Sequence, residues 1–162
     1  MDEETPEEPE DFRGRILLEG EALAREKGGR GVVLRLGGIY GPGRTRLLER
    51  VRSGEARCPD GDPIWSNRIH RDDAAGALIH LLEHPDPGPV YLGVDDEPAS
   101  LCDVYRFVAR LVGAPEPQPE SGVRRDRANK RCSNARLRKS GLELRYPTYR
   151  EGYTAMVEEA AR

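Results

Sequence analysis

Two short segments concentrate the residue types that hold ligands or move protons. The first, Gly37-Gly-Ile-Tyr-Gly-Pro-Gly43, places four glycines and a proline in seven residues. Glycines in succession expose backbone N–H groups and let a ligand approach closely, so Gly38, Ile39, Tyr40, Gly41 and Pro42 are candidates for a ligand-facing loop. A plain glycine-rich turn with Tyr40 packed beneath it fits the composition equally well. The loop lacks the lysine and the G-K-[ST] ending of a phosphate-binding P-loop. The second segment, Ser66-Asn-Arg-Ile-His-Arg-Asp-Asp73, crowds polar groups at the approach to a helix, whose amino terminus attracts anions. Asn67, Arg68 and His70 are the candidate substrate contacts there. The bland alternatives are Asp72 or Asp73 as helix caps and His70 as a structural histidine bonded to backbone.

Other groups carry weaker signals. His80 and His84 stand at i, i+4 but lack the glutamate of the zinc-protease arrangement, so no metal site is expected. A basic cluster, Arg124, Arg125, Arg127, Lys130, Arg131, Arg136, Arg138 and Lys139, is suited to a phosphate-bearing ligand or to solvated charge. No aromatics interleave with it, which argues against stacking on single-stranded nucleic acid. Cys58, Cys102 and Cys132 are odd in number and lack C-x-x-C spacing, so neither a disulfide framework nor a zinc knuckle is expected, and a reducing cytoplasm fits best.

These groups need elements to position them. Ile16, Leu17, Gly20, Leu23 and Ala24 recur at helical spacing from Arg13 to Lys27, with Gly28-Gly29 as the stop. Gly31 to Leu36 is a short β-branched run, apolar on both faces, as in a parallel sheet. A short helix is predicted over Arg44 to Ser53 and a loop or weak strand over Glu55 to Asn67. Asp72 or Asp73 then starts a helix with Ala75, Leu78, Ile79 and Leu82 inward. Pro89 to Val94 is a strand, and Ser100 caps a helix with Leu101, Val104, Tyr105, Val108, Leu111 and Val112 inward, stopped by Gly113. The segment from Ala114 to Ala128 is a loop, Lys130 to Cys132 a short strand, Asn134 to Lys139 a helical turn, and Tyr149 to Ala161 a last helix. Helix alternating with buried strand is α/β construction.

Composition bounds the whole. The chain has 162 residues, 36% hydrophobic and 34% charged, enough for one modest core. No apolar stretch approaches the ~20 residues of a membrane span, and no signal-peptide pattern follows Met1. A net charge of −3, with acids interleaved among bases that are arginine in all but three cases, argues against nucleic acid as the partner. Residues 1–12 are acidic and proline-rich and form an extended arm; 13–162 form the α/β body. The mean hydropathy of −0.72 is low for a self-sufficient globule and suggests apolar surface buried against something else.

Four blocks, VVLRLGGIYGPGR, NRIHRDDAAGALIHLLEHP, VYLGVDDEP and NKRCSNARLRKSGLELRYPTYREGY, together resemble the carboxyl-terminal half of extended short-chain dehydrogenases, the NAD-dependent epimerase/dehydratase family. The likeness is strongest to its atypical, sugar-nucleotide epimerase-like NAD(P)-binding branch. The resemblance implies the carboxyl-terminal part of a Rossmann-like doubly wound parallel sheet plus a small substrate-side lobe, with the amino-terminal nucleotide-binding half absent. It implies NAD or NADP as cofactor, a small substrate with sugar nucleotides among the candidates, and a loop Gly38 to Pro42 lying over the nicotinamide. The family's tyrosine and lysine fall at Arg13 and Leu17, so no catalytic residue is assigned. A non-catalytic NAD(P)-binding regulator is the alternative implied. Ser66 stands where nucleotide-sugar enzymes carry a diphosphate-binding arginine, and Arg68 where they carry an aromatic. The chain is accordingly expected to be a fragment, marginal unless it meets the other half, through which it would reach dinucleotide and substrate.

Overall fold

The computed structural model describes residues 1–9, 11–27, 31–122 and 129–162. The elements run α1 (Phe12–Lys27), β1 (Val33–Leu36), β2 (Gly38–Tyr40), α2 (Arg46–Arg52), β3 (Arg57–Pro59), β4 (Trp65–Ser66), β5 (Arg68–His70), α3 (Arg71–Glu83), β6 (Val90–Gly93), β7 (Ala99–Ser100), α4 (Leu101–Val112), β8 (Gln118–Glu120), α5 (Ala135–Lys139) and α6 (Tyr149–Ala160). The fold is α/β, with parallel pairs β1–β6, β2–β5 and β3–β8 and an antiparallel pair β4–β7. Gly28-Gly29, the expected helix stop, and Arg124, Arg125 and Arg127 lie outside the described residues.

β1 and β6 align Val33 with Val90 through Leu36 with Gly93. The Val33 and Gly37 amides donate to the Pro89 and Gly93 carbonyls, so alternation along the strand turns the Leu34 and Leu36 amides away from β6. The two edges of this pair differ. On the outer edge of β6, the Leu92 amide donates to Glu3 Oε1 at 2.9 Å and Arg136 Nη1 to the Val90 carbonyl at 3.2 Å. The Glu3 side chain is only 4% exposed and sits 3.9 Å from Arg136. The acidic amino-terminal segment therefore seals this edge, further pinned by Met1, whose ammonium donates to the Arg131 carbonyl. Among the described residues, no strand pairs with the opposite edge, that of β1.

Two clusters make the core. Tyr40, Leu48, Val51, Val104, Val108, Tyr149, Tyr153 and Met156 join α2, α4 and α6 beneath β2. Ala77, Leu81, Tyr91 and Leu137 join α3 and α5 to β6. Ser100 caps α4 by accepting from the Asp103 amide, Gly113 ends it in the left-handed conformation, and Thr148 with Glu151 forms a capping box on α6.

Several expectations are corrected. The apolar stripe of α1 points outward: Ile16, Leu17 and Leu23 are exposed, Leu17 at 68%. Leu18 and Glu21 are the more sheltered positions, Glu21 because its carboxylate takes two hydrogen bonds from Arg35 of β1. The same holds for α3, where Ala74, Ala77 and Leu81 face inward and Leu78, Ile79 and Leu82 face solvent, Leu82 at 84%. Each helix carries apolar residues on two faces, and periodicity alone selected the face this chain leaves uncovered. Neither Asp72 nor Asp73 caps α3; His70 does, accepting from the Asp72 amide, because the helix begins one residue earlier, at Arg71. Gly38 to Tyr40, expected as loop, is the strand β2. Lys130 to Cys132 is no strand, since the Asn67 side-chain amide takes up its Lys130 carbonyl and Cys132 amide. Cys58 and Cys102, expected unpaired, form a bonded pair. Their 44-residue separation gives no sequence signal; packing of β3 on α4 brings them together.

Candidate functional site

The site forms where β1 and β2 meet the β5–α3 junction. Gly37 leaves β1 so tightly that a Cβ would stand 3.0 Å from the Asn67 backbone and from Val94 Cγ1, while the Gly38 amide donates to the Asn67 carbonyl at 2.9 Å. β2 then runs parallel to β5, pairing Gly38 with Arg68, Ile39 with Ile69 and Tyr40 with His70. Gly41 turns at φ +142°, a value that suits glycine, and a Cβ there would meet His70 Nε2 at 3.1 Å and Arg71 Cβ at 3.0 Å. The turn is closed by the Arg44 amide donating to the Gly41 carbonyl, and Arg71 Nη1 donates to the Pro42 carbonyl at 2.6 Å. The glycine segment is thus fastened to the first residue of α3.

Alternation along β2 and β5 puts Tyr40, Arg68 and His70 on one face, toward α6. Tyr40 stacks on Tyr153 at 4.5 Å and meets the His70 ring edge-on at 5.3 Å. Burial raises its phenol well above the ordinary range, and burial raises Tyr153 to about 12. Tyr40 is therefore a core residue: its backbone ends β2 and its ring packs against α6. Arg68 is 5% exposed. Its Nη2 donates to Ser66 Oγ at 2.8 Å, and its guanidinium lies 5.7 Å from the centre of the Tyr149 ring. His70 Nδ1 accepts from the Asp72 amide, which leaves the proton on Nε2, facing Gly41. Burial lowers the imidazole pKa, so the ring is neutral at physiological pH. Asn67 is committed to the 130–132 backbone and positions that segment.

Asp73, expected as a cap, and Tyr146 and Asp95, which sequence reasoning did not single out, complete the surroundings. Asp73 accepts from the Arg145 and Tyr146 amides at 2.6 and 3.0 Å, and the Tyr146 ring lies 4.0 Å from His70. Asp95 is 2% exposed; its amide donates to the Arg68 carbonyl at 2.7 Å, and burial raises its carboxyl to about 7 against the opposing charge of Arg68. Tyr40 Oη, Arg68 Nη1, Asp95 Oδ2 and Tyr149 Oη are buried without a protein partner. The available signal was the Asp95-Asp96 pair directly after a buried strand.

The remaining candidates lie elsewhere. Arg13 and Leu17 are exposed on α1. His80 Nε2 is bonded to Ser140, 3.0 Å from its hydroxyl. Arg136 and Arg138 of the basic cluster are engaged with Glu4 and Asp96. Among the described residues, no group of three or more His, Cys, Asp or Glu could hold a metal, and no helix is long and apolar enough to cross a membrane.

Parallel strands crossed by helices, with a glycine segment at their carboxyl ends, define a piece of a Rossmann-type sheet. The chain corresponds to the carboxyl-terminal portion of the fold of NAD-dependent epimerase/dehydratase proteins. A solved protein from Methylobacillus flagellatus, described as an NAD-dependent epimerase/dehydratase, is 36% identical, with a TM-score of 0.83 over 100% of this chain and 58% of its own. Protein YeeZ of Escherichia coli K12 is 32% identical over 90% of this chain and 52% of its own length. The 3-diazoavenalumate denitrifying reductase of a Streptomyces species is 34% identical over 64% of this chain and 36% of its own. The chain spans about half the length or less of the curated relatives it matches. Structures of the same fold, at 24% identity or below, include complexes with NADPH and with NAD. No family model matches the chain.

Proposed function

We propose that this chain is the substrate-side portion of an NAD(P)-dependent oxidoreductase of the epimerase/dehydratase type, acting on a small polar substrate. The observation that carries the reading is the fastening of Gly38–Pro42 beside Asn67, Arg68 and His70 at the carboxyl ends of parallel strands, where open α/β sheets take ligands. The residues present fit one end of a dinucleotide. Gly41 and Gly43 form a bare backbone wall, and His70 offers a neutral N–H beneath it, which suits a flat amide-bearing ring. A glycine-rich strand-turn-helix for the diphosphate does not occur in the sequence. A separate amino-terminal half would supply that grip and cover the β1 edge and the outward apolar faces of α1 and α3. When bound, the nicotinamide supplies or accepts hydride. This chain's part is to wall the ring, keep His70 neutral through burial and the Asp72 amide, and hold Arg68 through Ser66. The cytoplasm is the compartment this reading assigns.

The test mixes the chain with the amino-terminal half of the Methylobacillus relative and follows NADPH fluorescence. Tight binding by the mixture, absent for either part alone, supports the reading; a stable complex that ignores NADPH overturns it. A second reading, a non-catalytic NAD(P)-responsive regulator, is favoured by the exposed Arg13 and Leu17 where the family carries tyrosine and lysine. Turnover that appears in the mixture only after R13Y and L17K supports the regulator; turnover without them supports the enzyme.

A further inference from the structure

Cys58 and Cys102 lie outside the site described above. They form a bonded pair between β3 and α4, with Cα atoms 5.2 Å apart, inside the range a disulfide spans without backbone movement. Their settings differ. Cys58 is 3% exposed. Cys102 is half-buried and is the second residue of the 12-residue α4, at the positive end of its helix dipole. Cys102 is thus the more reachable of the two, and Cys58 is its buried partner. The third cysteine, Cys132, is held protonated by burial.

Cys102 follows β7, whose partner strand β4 holds Arg68 through Ser66. Ser100, two residues before Cys102, lies opposite Trp65 in the β4–β7 pair. Ser66 Oγ donates to the Ala99 carbonyl at 3.1 Å and accepts from Arg68 Nη2 at 2.8 Å. Two hydrogen bonds therefore separate the residue that opens the cross-linked helix region from the Arg68 guanidinium.

We propose that Cys58 and Cys102 are a reversible thiol–disulfide pair, modified by small disulfides of the glutathione type, whose state sets the β4–β7 strands beneath Arg68. The Cys102 thiolate attacks one sulfur of the small disulfide, forming a mixed disulfide and releasing one small thiolate. The Cys58 thiolate then attacks the Cys102 sulfur and expels the second, so the pair loses two electrons and two protons while one small disulfide becomes two thiols. In a reducing compartment such a bond is a state of the protein, not a permanent staple.

The test equilibrates the chain in glutathione buffers of graded ratio, quenches with acid, unfolds, tags free thiols with a maleimide and counts tags by mass. Trp65, the one tryptophan of the chain, faces Ser100 and reports the strand pair by fluorescence. The expected result is a fall from three tags to one, with the protein two hydrogen atoms lighter, and a change in Trp65 emission at the same midpoint. C132S keeps both transitions; C102S loses both, and C58S stops at a glutathione adduct on Cys102 without the change in Trp65 emission. Three tags at every ratio, or a glutathione adduct persisting on Cys102 of the unsubstituted chain, overturns the pair. Closure with no change in Trp65 emission overturns its link to the Arg68 strands.

Discussion

Replacing Asp95 with asparagine removes a charge that burial opposes and keeps the shape of the side chain. Asp95 Oδ2 is buried without a partner, and burial raises its carboxyl to about 7 in the fold against 3.8 for an exposed aspartate. A carboxyl raised on folding binds its proton more tightly when folded, so its contribution is fully present below 3.8 and is lost as pH rises through 7. Linkage between these values costs the wild type about 1.5 kcal/mol at pH 5 and about 4 kcal/mol at pH 8. Asparagine carries no such dependence. The difference in unfolding free energy, D95N minus wild type, is therefore expected to grow by about 2.5 kcal/mol between pH 5 and pH 8. Urea unfolding at half-unit pH intervals measures it, and subtraction cancels every other titrating group. A difference that stays flat across this range refutes the burial argument, as does one that shrinks.

Three other substitutions follow from the packing. G152A places a Cβ 2.0 Å from the Tyr40 hydroxyl and is expected to lower stability by about 1–3 kcal/mol, read as the shift in urea midpoint. N67A removes the amide that joins the 130–132 segment to β4 and β5, costing about 1–3 kcal/mol, with faster exchange of the Cys132 amide by NMR. The I79K/L82K double variant alters exposed positions of α3, so the urea midpoint of the chain alone should move by less than about 0.5 kcal/mol while binding to an amino-terminal half weakens at least tenfold in titration calorimetry.

Elements with local signals were legible in the sequence. The Ser100 cap and Gly113 stop set α4, and the β-branched runs at Val33 and Val90 set a parallel pair, because cap chemistry and short-range pattern suffice there. The glycine segment and the polar segment at 66–73 were readable as two separate candidates, but their pairing as β2 and β5 was not. What local pattern could not decide was which apolar face of α1 and α3 turns inward, since both faces are apolar enough and the choice depends on surfaces far along the chain. The pairing of Cys58 with Cys102, the sealing of β6 by Glu3, and Asp95 beneath Arg68 all rest on contacts between distant residues. Tyr40 shows the same limit: composition predicts a loop where the strand β2 forms, and its ring is drawn into the core by Tyr153 and the bare Gly152.

The open edge of β1 is where, on the proposed function, the rest of the sheet adds. Amide hydrogen exchange at Leu34 and Leu36, measured on the chain alone and again with the amino-terminal half of the Methylobacillus relative, tests this directly. Fast exchange alone and strong protection in the mixture is the predicted result. Strong protection in the isolated chain, or a complex that leaves both amides exchanging freely, would contradict it.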